Sequence, residues 1–213
     1  RHIEGARISL AVGALTALFG MIVGGTLGMI AGYFKGILDK VVGAIFLVVL
    51  SFPGLILAIL IVALLDRSLM TISITLGILG VAPIGRLARA QTLSFSEREF
   101  VLAAETLGAK KSRILVKELL PNVLIPMSTL AMLVIAVAIV GEGTLAFLGL
   151  SVQGSATWGK LILTGSGLNT LESSPWVAFI PMGFLFLTVA SFNYLSDRLR
   201  DYFDVRDIFV TRD

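Results

Sequence analysis

The sequence predicts an all-α protein that crosses a membrane several times, and three observations carry this prediction. Hydrophobic residues make up 56% of the 213 residues and charged residues only 15%, which gives a mean hydropathy of +0.96. The apolar residues are gathered into stretches of the roughly 20 residues that a spanning helix needs. The longest polar interruption, 96–121, is itself patterned. A soluble domain of this size does not require so much apolar sequence, so we treat 1–213 as a single transmembrane domain.

Five apolar segments can each supply a spanning helix. They cover about 8–34, 41–65, 69–87, 121–150 and 176–195. The third carries Pro83 near its predicted end. The chain begins with Arg1 rather than Met, and five spans leave this beginning on the outside of the membrane. We therefore expect a sixth span before Arg1, which would return the N-terminus to the cytoplasm.

The first segment carries a glycine at every fourth position, at Gly20, Gly24, Gly28 and Gly32. Residues four apart lie on one face of a helix. Small residues on such a face allow two helices in a membrane to approach closely. The spacing predicts a helix-packing stripe.

The second segment is interrupted by Ser51, Phe52, Pro53 and Gly54. Proline removes a backbone hydrogen bond, so we expect a kink or an unwound turn at membrane depth. Irregular backbone at that depth persists beside protein or a water-filled cavity. We predict that Ser51, Phe52 and Pro53 line a translocation pathway; a kink that bends the helix around a neighbour is the equally open alternative.

Glu142 is the carboxylate that falls inside a predicted span. An ionisable residue at that position indicates a functional site, so Glu142 is a second candidate for the pathway. It lies between Gly141 and Gly143, toward the outer end of its span. The alternative, which we place slightly ahead, is a structural hydrogen bond to backbone that the two glycines set free.

The polar segment 96–121 has the pattern of a preformed helix. Ser96 followed by Glu99 matches a capping box and predicts a helix from Glu97. Small and apolar residues form one smooth face of it, and Gly108 suits the left-handed position that ends a helix. The members of this face are Ala103, Ala104, Leu107 and Gly108.

A second amphipathic piece follows, and Pro121 suits the start of the next helix. Its apolar side holds Ile114, Leu115 and Leu119, and its basic side holds Lys110, Lys111, Arg113 and Lys117. A solvated basic loop is the plain interpretation of such a segment. The cap, the smooth face and the defined stop together favour a helical surface that docks on a partner, and we call 96–121 the docking segment.

Basic residues orient the spans, because they concentrate in cytoplasmic connections. With the docking segment inside, thirteen of the 17 Lys and Arg residues lie inside and four outside. Those inside are Lys35, Lys40, Arg86, Arg89, Arg98, Lys110, Lys111, Arg113, Lys117, Arg198, Arg200, Arg206 and Arg212, and those outside are Arg1, Arg7, Arg67 and Lys160. We expect the beginning of this sequence outside and a cytoplasmic tail over 196–213.

The segment 151–175 is then an external loop, rich in Gly, Ser and Thr. Trp158 and Trp176 are predicted to be interfacial anchors, the common role of tryptophan at a membrane edge. A re-entrant or lid-like element is the alternative.

Several classes of protein are excluded by what the sequence lacks. There is no cysteine, so thiol chemistry is excluded, and with His2 as the only histidine we do not expect a histidine-based metal centre. No GxxxxGK[ST] phosphate loop occurs, and neither does a GxSxG, HExxH or CxxC motif. We predict no catalytic residue, no metal site and no cofactor, and the small net charge of +3 does not suggest nucleic acid.

The stretch FVLAAETLGAKKSRILVKELLPN (100–122) resembles the EAA loop of binding-protein-dependent ABC importer permeases. Residues that fall on the motif's spacing are Ala103, Ala104, Gly108, Leu120 and Pro121. Leu102 stands where the motif has Glu, and Glu118 where it has an apolar residue; Glu105 could supply the carboxylate from another helix face. Further pieces resemble the second permease subunit of the dipeptide, oligopeptide and nickel branch: GARISLAVG, AGYFKG, SFPGLILAI, FLGLSVQ and FNYLSDRLRDYFD.

This resemblance implies a protein of a prokaryotic inner membrane that has no ATP-binding site of its own. Its partners would be a second homologous permease, two cytoplasmic ATP-binding subunits that hydrolyse ATP, an external solute-binding protein and membrane lipid. The ATPase-docking residues would be Ala103, Ala104, Glu105, Gly108, Ala109, Lys110 and Arg113. The cargo would be di- or oligopeptides, with nickel chelates or another small solute as alternatives. The loop after Gln153 departs from the family, since it reads GSATWG without the usual prolines.

Two other classes of function stay open on sequence alone. An ion-coupled secondary transporter can also use a broken helix at the membrane midplane, and Glu142 would then be its candidate coupling group. A channel or scaffold could use the basic loop to bind anionic lipid.

Overall fold

The computed structural model describes residues 2–210, with side chains for residues 2–203; Arg1, Arg212, Asp213 and the side chain of Arg206 lie outside this description. Every element in the described part is helical. The helices are α1 (His2–Phe34), α2 (Gly36–Ser51), α3 (Gly54–Leu64), α4 (Leu69–Ser96), α5 (Glu99–Thr106), α6 (Lys111–Phe147), α7 (Trp158–Gly165), α8 (Leu168–Ser173) and α9 (Trp176–Val210). The all-α prediction is confirmed.

Contacts between distant residues define two ends of the bundle. At the docking end, the Lys35 ammonium lies 3.2 Å from the carboxylate of Glu97, a residue of the docking segment. At the opposite end, which we call the loop end, the Arg67 guanidinium donates to the Gly149 carbonyl. There the indole N–H of Trp158 donates to the carbonyl of His2 over 3.3 Å.

Helices α1, α4, α6 and α9 are each long and apolar enough to span a membrane. The pair α2 and α3 meets the same test only if taken together, and its two helices are bent by 87° at the break. Lys35, just before α2, lies at the docking end, and Arg67, just after α3, lies at the loop end. The pair therefore joins opposite ends of the bundle, and we count it as a broken fifth crossing. The predicted break at Phe52 and Pro53 is confirmed.

The predicted glycine stripe packs directly on the backbone of α4. A Cβ added to Gly24 would lie 2.4 Å from the carbonyl oxygen of Val81, and one added to Gly28 would lie 2.1 Å from that of Gly85. Because both helices contribute positions four residues apart, the two backbones stay in contact over several turns. The packing stripe is confirmed, and α4 is its partner.

The broken span is attached to α4 beside its contact with α1. The ring of Phe46 lies over Gly85, where an added Cβ would be 2.2 Å from its Cζ. Nearer the docking end, the guanidinium of Arg89 donates twice to the carboxylate of Asp39, with an Nη2–Oδ2 distance of 2.7 Å. Bidentate pairs of this kind fix orientation as well as charge, so α2 is held to α4 by an aromatic contact and an ion pair.

The helix boundaries around the docking segment differ from the sequence prediction. The helix of the third apolar segment continues beyond 87: α4 runs through Pro83 to Ser96. The predicted capping box is wrong, because the Ser96 hydroxyl donates to the Leu93 carbonyl of its own helix over 2.9 Å. Arg98 occupies the N-cap position of α5 instead. A hydroxyl in the last turn of a helix finds the carbonyl three residues earlier as its nearest acceptor.

Pro121 lies in the first turn of the regular α-helical stretch Leu120–Phe147, as predicted, but this stretch is not a separate helix. Helix α6 is continuous from Lys111 to Phe147, with a π-helical turn at Ile114–Leu119 just before the proline. Proline lacks a donor and crowds the preceding turn, and a widened π turn is one way a helix accommodates the disturbance.

The predicted external loop is more ordered than its composition suggested. It contains α7 and α8, and Trp158 is 3% exposed, with its ring stacked on Phe184 at a centroid distance of 6.4 Å and 8° between planes. Trp158 is therefore a core residue that fastens α7 to α9, and its prediction as an interfacial anchor is wrong. Trp176 is 57% exposed, and its interfacial role stays a prediction.

The Gly28–Gly85 contact predicts a selective loss of stability on adding one methyl group. Gly28→Ala forces α1 away from α4, and overpacking of this kind costs about 1–3 kcal/mol. Gly43→Ala is the matched control, because its Cβ meets no atom of the chain within 4 Å, and alanine favours a helix by up to about 1 kcal/mol. Thermal unfolding in detergent should show a lower Tm for Gly28→Ala only. Equal Tm values for the two variants would contradict the proposed packing.

Candidate docking surface and buried carboxylate

The docking segment is built around α5, whose end has a defined hydrogen-bonded stop. Gly108 has φ +78°, its N–H donates to the Glu105 carbonyl over 2.9 Å, and the N–H of Ala109 donates to the Ala104 carbonyl over 3.0 Å. These two bonds form a Schellman motif, which satisfies carbonyls at a helix end and favours glycine at the left-handed position. The prediction for Gly108 is confirmed.

The smooth face predicted for α5 divides into an inner and an outer side. Val101 is fully buried, and Ala104 is half-buried against the cluster that contains Ile114. Ala103 is exposed, and Leu107 is 88% exposed. The predicted face is divided because Val101 and Ala104, three residues apart, lie on the inward side of the helix. Ala103 and Leu107 lie on its outward side.

Four of the predicted docking residues surround one open depression in the surface beside the end of α5. They are Gly108, Ala109, Lys110 and Arg113, and the remaining lining residues are Ser112, Val116 and Lys117. Three cations and no carboxylate line this depression. Of the predicted set, Ala103 lies on the outward side of α5, while Ala104 supports the segment from within.

Glu105 is turned toward the bundle. Its carboxylate accepts a hydrogen bond of 3.1 Å from the Tyr33 hydroxyl at the end of α1. Lys35 and Glu97, which lie near Tyr33 and Glu105 in the sequence, form an ion pair whose side chains are 51% and 74% exposed. Exposed ion pairs contribute little to stability, so these contacts orient the docking segment on α1 more than they stabilise the fold.

The predicted pathway residues do not come together. Ser51, Phe52 and Pro53 are exposed on this chain, and the hydroxyl of Ser51 donates to the Leu47 carbonyl over 2.8 Å. Glu142, in contrast, is 1% exposed. It is enclosed by the loop end, so it shares no surface with the break between α2 and α3.

Glu142 holds the connection between α6 and α7. Its Oε1 accepts a hydrogen bond of 2.9 Å from the Ser151 hydroxyl, and that hydroxyl lies 3.2 Å from the hydroxyl of Thr157. Helix α6 is unbroken through Gly141 and Gly143. The predicted bond from Glu142 to freed backbone is therefore wrong, because no backbone there is free; its structural role is carried by hydroxyl groups.

The same connection is fastened to the turn after the broken span. The guanidinium of Arg67 donates to the Gly149 carbonyl, and the N–H of Gln153 donates to the carbonyl of Arg67 over 2.8 Å. Sequence reasoning did not identify Arg67, Ser151 or Thr157 as partners. Hydroxyl residues that closely follow a buried carboxylate were the available signal for Ser151 and Thr157.

The hydrogen bond from Ser151 predicts different effects for two substitutions of Glu142. Glu142→Gln keeps an acceptor for the hydroxyl, whereas Glu142→Leu removes it, and an unsatisfied buried polar group costs about 1–3 kcal/mol. The readout is a Val152→Cys reporter, placed at a residue that is 3% exposed and labelled with an impermeant maleimide. If opening of the loop to water relieves about 1.4 kcal/mol of this cost, the reporter should react about tenfold faster in the Glu142→Leu background. Equal labelling rates in the wild-type, Glu142→Gln and Glu142→Leu backgrounds would contradict the role of Glu142 in holding the connection between α6 and α7.

Comparison with known proteins places these features in a family. Residues 24–206 match the model of the binding-protein-dependent transport system inner membrane component family. The chain is 39% identical, over 96% of its length, to the dipeptide transport system permease protein DppC of Alkalihalophilus pseudofirmus. It is 36% identical, over 94%, to the oligopeptide transport system permease protein OppC of Bacillus subtilis. It is 34% identical, over 96%, to the glutathione transport system permease protein GsiD of Pectobacterium atrosepticum. The chain spans 65–67% of the lengths of these relatives.

Solved structures show the same fold at low sequence identity. An inward-facing structure of the MetNI methionine ABC transporter matches with a TM-score of 0.75 at 19% identity, over 93% of this chain and 94% of that chain. A chain of an amino acid ABC transporter matches with a TM-score of 0.67 at 14% identity, over 94% and 93%. With the family match covering most of the sequence, this multi-pass membrane protein belongs to the family of inner membrane components of binding-protein-dependent transport systems.

Proposed function

We propose that this chain is a permease subunit of an ATP-driven ABC importer and forms half of a translocation pathway for di- or oligopeptides. Its family membership and the names of its relatives support the role and the class of cargo. The observation that carries the proposal is the exposed outer side of α5, held at one end of the spanning bundle by a buried inner side.

In this proposal, the docking segment receives the force of ATP hydrolysis from partner subunits. The docking residues divide by role: Ala103 and Leu107 face the partner, Gly108 ends the helix, and Ala104 supports it. Because α4 leads directly into α5, a displacement of the docking segment acts on the helix that contacts both α1 and the broken span. The other partners are a homologous permease, a second ATP-binding subunit, an external solute-binding protein and membrane lipid.

The docking end is then cytoplasmic and the loop end external. The described cations support this orientation, since Lys110, Lys111, Arg113 and Lys117 belong to the docking end, while Arg67 belongs to the loop end. An excess of cations on the cytoplasmic side is the rule for membrane proteins. The chain therefore begins outside and its tail over 196–213 is cytoplasmic.

The break at Ser51, Phe52 and Pro53 is our proposed pathway element. These residues are exposed on the isolated chain, and they belong to the crossing that is bent by 87°. Glu142 is a weaker candidate for the pathway, and for ion coupling as well, because it is enclosed and one of its oxygens is engaged by Ser151. An external binding protein would do most of the selecting between peptides and other solutes, such as nickel chelates.

A charge on the outer side of α5 tests the docking role. Ala103→Glu places a carboxylate in a close-packed interface, where an unpaired buried charge costs several kcal/mol. We expect the ATP-binding subunits to be lost from the purified complex and transport in vesicles to stop, with normal membrane insertion. Asn169→Glu, an exposed position on α8 at the loop end, is the matched control and should retain both.

Ala104→Glu is a less selective variant, because Ala104 is half-buried in the fold of this chain. Transport at wild-type rate by Ala103→Glu would remove the assignment of α5 as the docking helix.

Accessibility from the two sides of the membrane tests the orientation. Epitope tags inserted after Lys110 and after Gly154 fall in exposed positions. The tag after Lys110 should be protected from protease in right-side-out vesicles and cleaved in inverted ones, and the tag after Gly154 should show the reverse. Cleavage of both tags from one side would contradict the five crossings.

A further inference from the structure

We infer that the ion pair between Arg89 on α4 and Asp39 on α2 is a positioning pair for transport. Through this pair the first half of the broken span, α2, follows the docking end of α4, while the second half, α3, stays with the loop end. The inference rests on the proposed function. It adds the two side chains that couple α4 to the break, and it makes the break at Pro53 a joint between two separately packed halves.

The two halves of the broken span belong to different apolar clusters. Helix α2 contributes Val42 and Phe46 to one cluster, and α3 contributes Ala58 and Val62 to another. No buried residue is common to both clusters, so each half packs against a different level of the bundle. The first cluster is completed by Ala31, Val81 and Ala82, and the second, toward the loop end, by Val12, Ile72, Leu76, Ala138, Leu145 and Val152.

The connection between the two halves has the geometry of a joint. The backbone is extended at Phe52, with φ −85° and ψ 136°, and Pro53 has no N–H to donate. No backbone hydrogen bond joins α2 to α3 in the part of the chain that the structure describes. A change in the 87° bend therefore breaks no helical hydrogen bond.

Helix α2 has few attachments to the bundle, and the ion pair is the directional one. Val42 and Phe46 are its buried residues, and apolar contacts such as theirs are non-directional. Two parallel hydrogen bonds between a guanidinium and a carboxylate fix both distance and orientation. Arg89 and Asp39 form such a pair, and their side chains are only 37% and 21% exposed, so solvent screens it only in part.

The position of Arg89 connects this pair to the docking end. Arg89 lies seven residues before Ser96, the last residue of α4, or about 10 Å at 1.5 Å per residue. The one proline inside α4 is Pro83, on the other side of Arg89, so the helix between Arg89 and the docking segment is uninterrupted. A displacement of the docking segment therefore reaches Asp39 along a continuous stretch of helix.

Helix α3, in contrast, leads into a turn that is fixed to the loop end. The guanidinium of Arg67 donates to the Gly149 carbonyl, and the N–H of Gln153 donates to the Arg67 carbonyl over 2.8 Å. One half of the span is thus tied to α4 near the docking segment, and the other is tied to the connection after α6. Force applied through Arg89 changes the angle at the break rather than moving the whole crossing.

The first test compares variants in the full transporter, reconstituted in vesicles with its ATP-binding subunits and a solute-loaded binding protein. Asp39→Asn and Arg89→Gln each remove one charge, and the exchange of Asp39→Arg with Arg89→Asp restores a pair of reversed polarity. Arg89→Lys keeps the charge but loses the bidentate geometry. Lys40→Gln is the matched control, because Lys40 is exposed beside Asp39 and has no ion pair among the described residues.

We expect Asp39→Asn and Arg89→Gln to hydrolyse ATP but to transport at least about fivefold less solute per ATP, since coupling between sites typically corresponds to about 5–150-fold. The exchange should recover most of this loss, Arg89→Lys should be intermediate, and Lys40→Gln should equal the wild type. A pair with a merely structural role would lower the Tm and the yield of the complex without changing the solute transported per ATP.

Spin-label distances test the joint directly. Ile37→Cys on α2 and Leu64→Cys on α3 are placed at residues that are 79% and 76% exposed, with the cysteines of the partner subunits replaced. Trapping nucleotide should shift the distance between these labels in the wild type and in the exchange, but not in Asp39→Asn. Labels at Ile3, which is 89% exposed on α1, and at Leu64 are the control pair, because α1 and α3 share the loop-end cluster; their distance should stay constant.

Three results would overturn the inference and leave the proposed function in place. The first is a wild-type ratio of solute to ATP in both Asp39→Asn and Arg89→Gln. The second is an exchange variant that assembles yet transports no better than the single variants. The third is an unchanged distance between the labels at Ile37 and Leu64 when nucleotide is trapped.

Arg89→Lys decides the matter if the neutral variants do not assemble, and a wild-type ratio of solute to ATP in this variant would also overturn the inference. A wild-type complex that shows no ATP-driven transport of any solute would instead contradict the proposed function.

Discussion

The contact between the glycine stripe of α1 and the backbone of α4 is the constraint on which the rest of the structure depends. At Gly28 the two backbones are so close that an added Cβ would lie 2.1 Å from the Gly85 carbonyl oxygen. Gly85 is crowded from two sides, by α1 and by the ring of Phe46 on α2. Within a bilayer, where water does not drive helices together, close packing of small residues supplies much of the association. Helix α4 thus becomes the central element of the bundle.

Because of this central position, α4 connects the docking segment to the broken span. It has 28 residues, or about 42 Å at 1.5 Å per residue, and it joins the turn at Arg67 to the docking segment. The broken span is held to it by Asp39 and Phe46. Packed protein interiors transmit displacement because they have few voids. Movement of α5 would therefore reach the break at Phe52 through α4, while Arg67 and Glu142 keep the loop end fastened.

Sequence alone predicts those features that depend on local chemistry and spacing. The glycine stripe, the break at Pro53 and the left-handed stop at Gly108 belong to this group, since each follows from what glycine or proline does to a helix. Features set by distant contacts were not predicted. Ser96 matched a capping box, yet α4 continued through it; Trp158 matched an interfacial anchor, yet Phe184 buried it; and Glu142 found its hydroxyl partners in the following loop. Their partners come from other elements, which spacing within one helix does not reveal.

We propose that docking at one end of the bundle changes the broken span in the membrane. The most direct test is a cysteine at Phe52, in a chain that has no other cysteine, labelled with a small aqueous thiol reagent in the full transporter. Leu168→Cys, at an exposed position of the loop end, reports any general change in access. We expect that trapping nucleotide on the ATP-binding subunits alters the labelling rate of Phe52→Cys and leaves that of Leu168→Cys unchanged. A Phe52→Cys that stays unlabelled with and without trapped nucleotide would contradict the proposal, and the break would then be a packing feature.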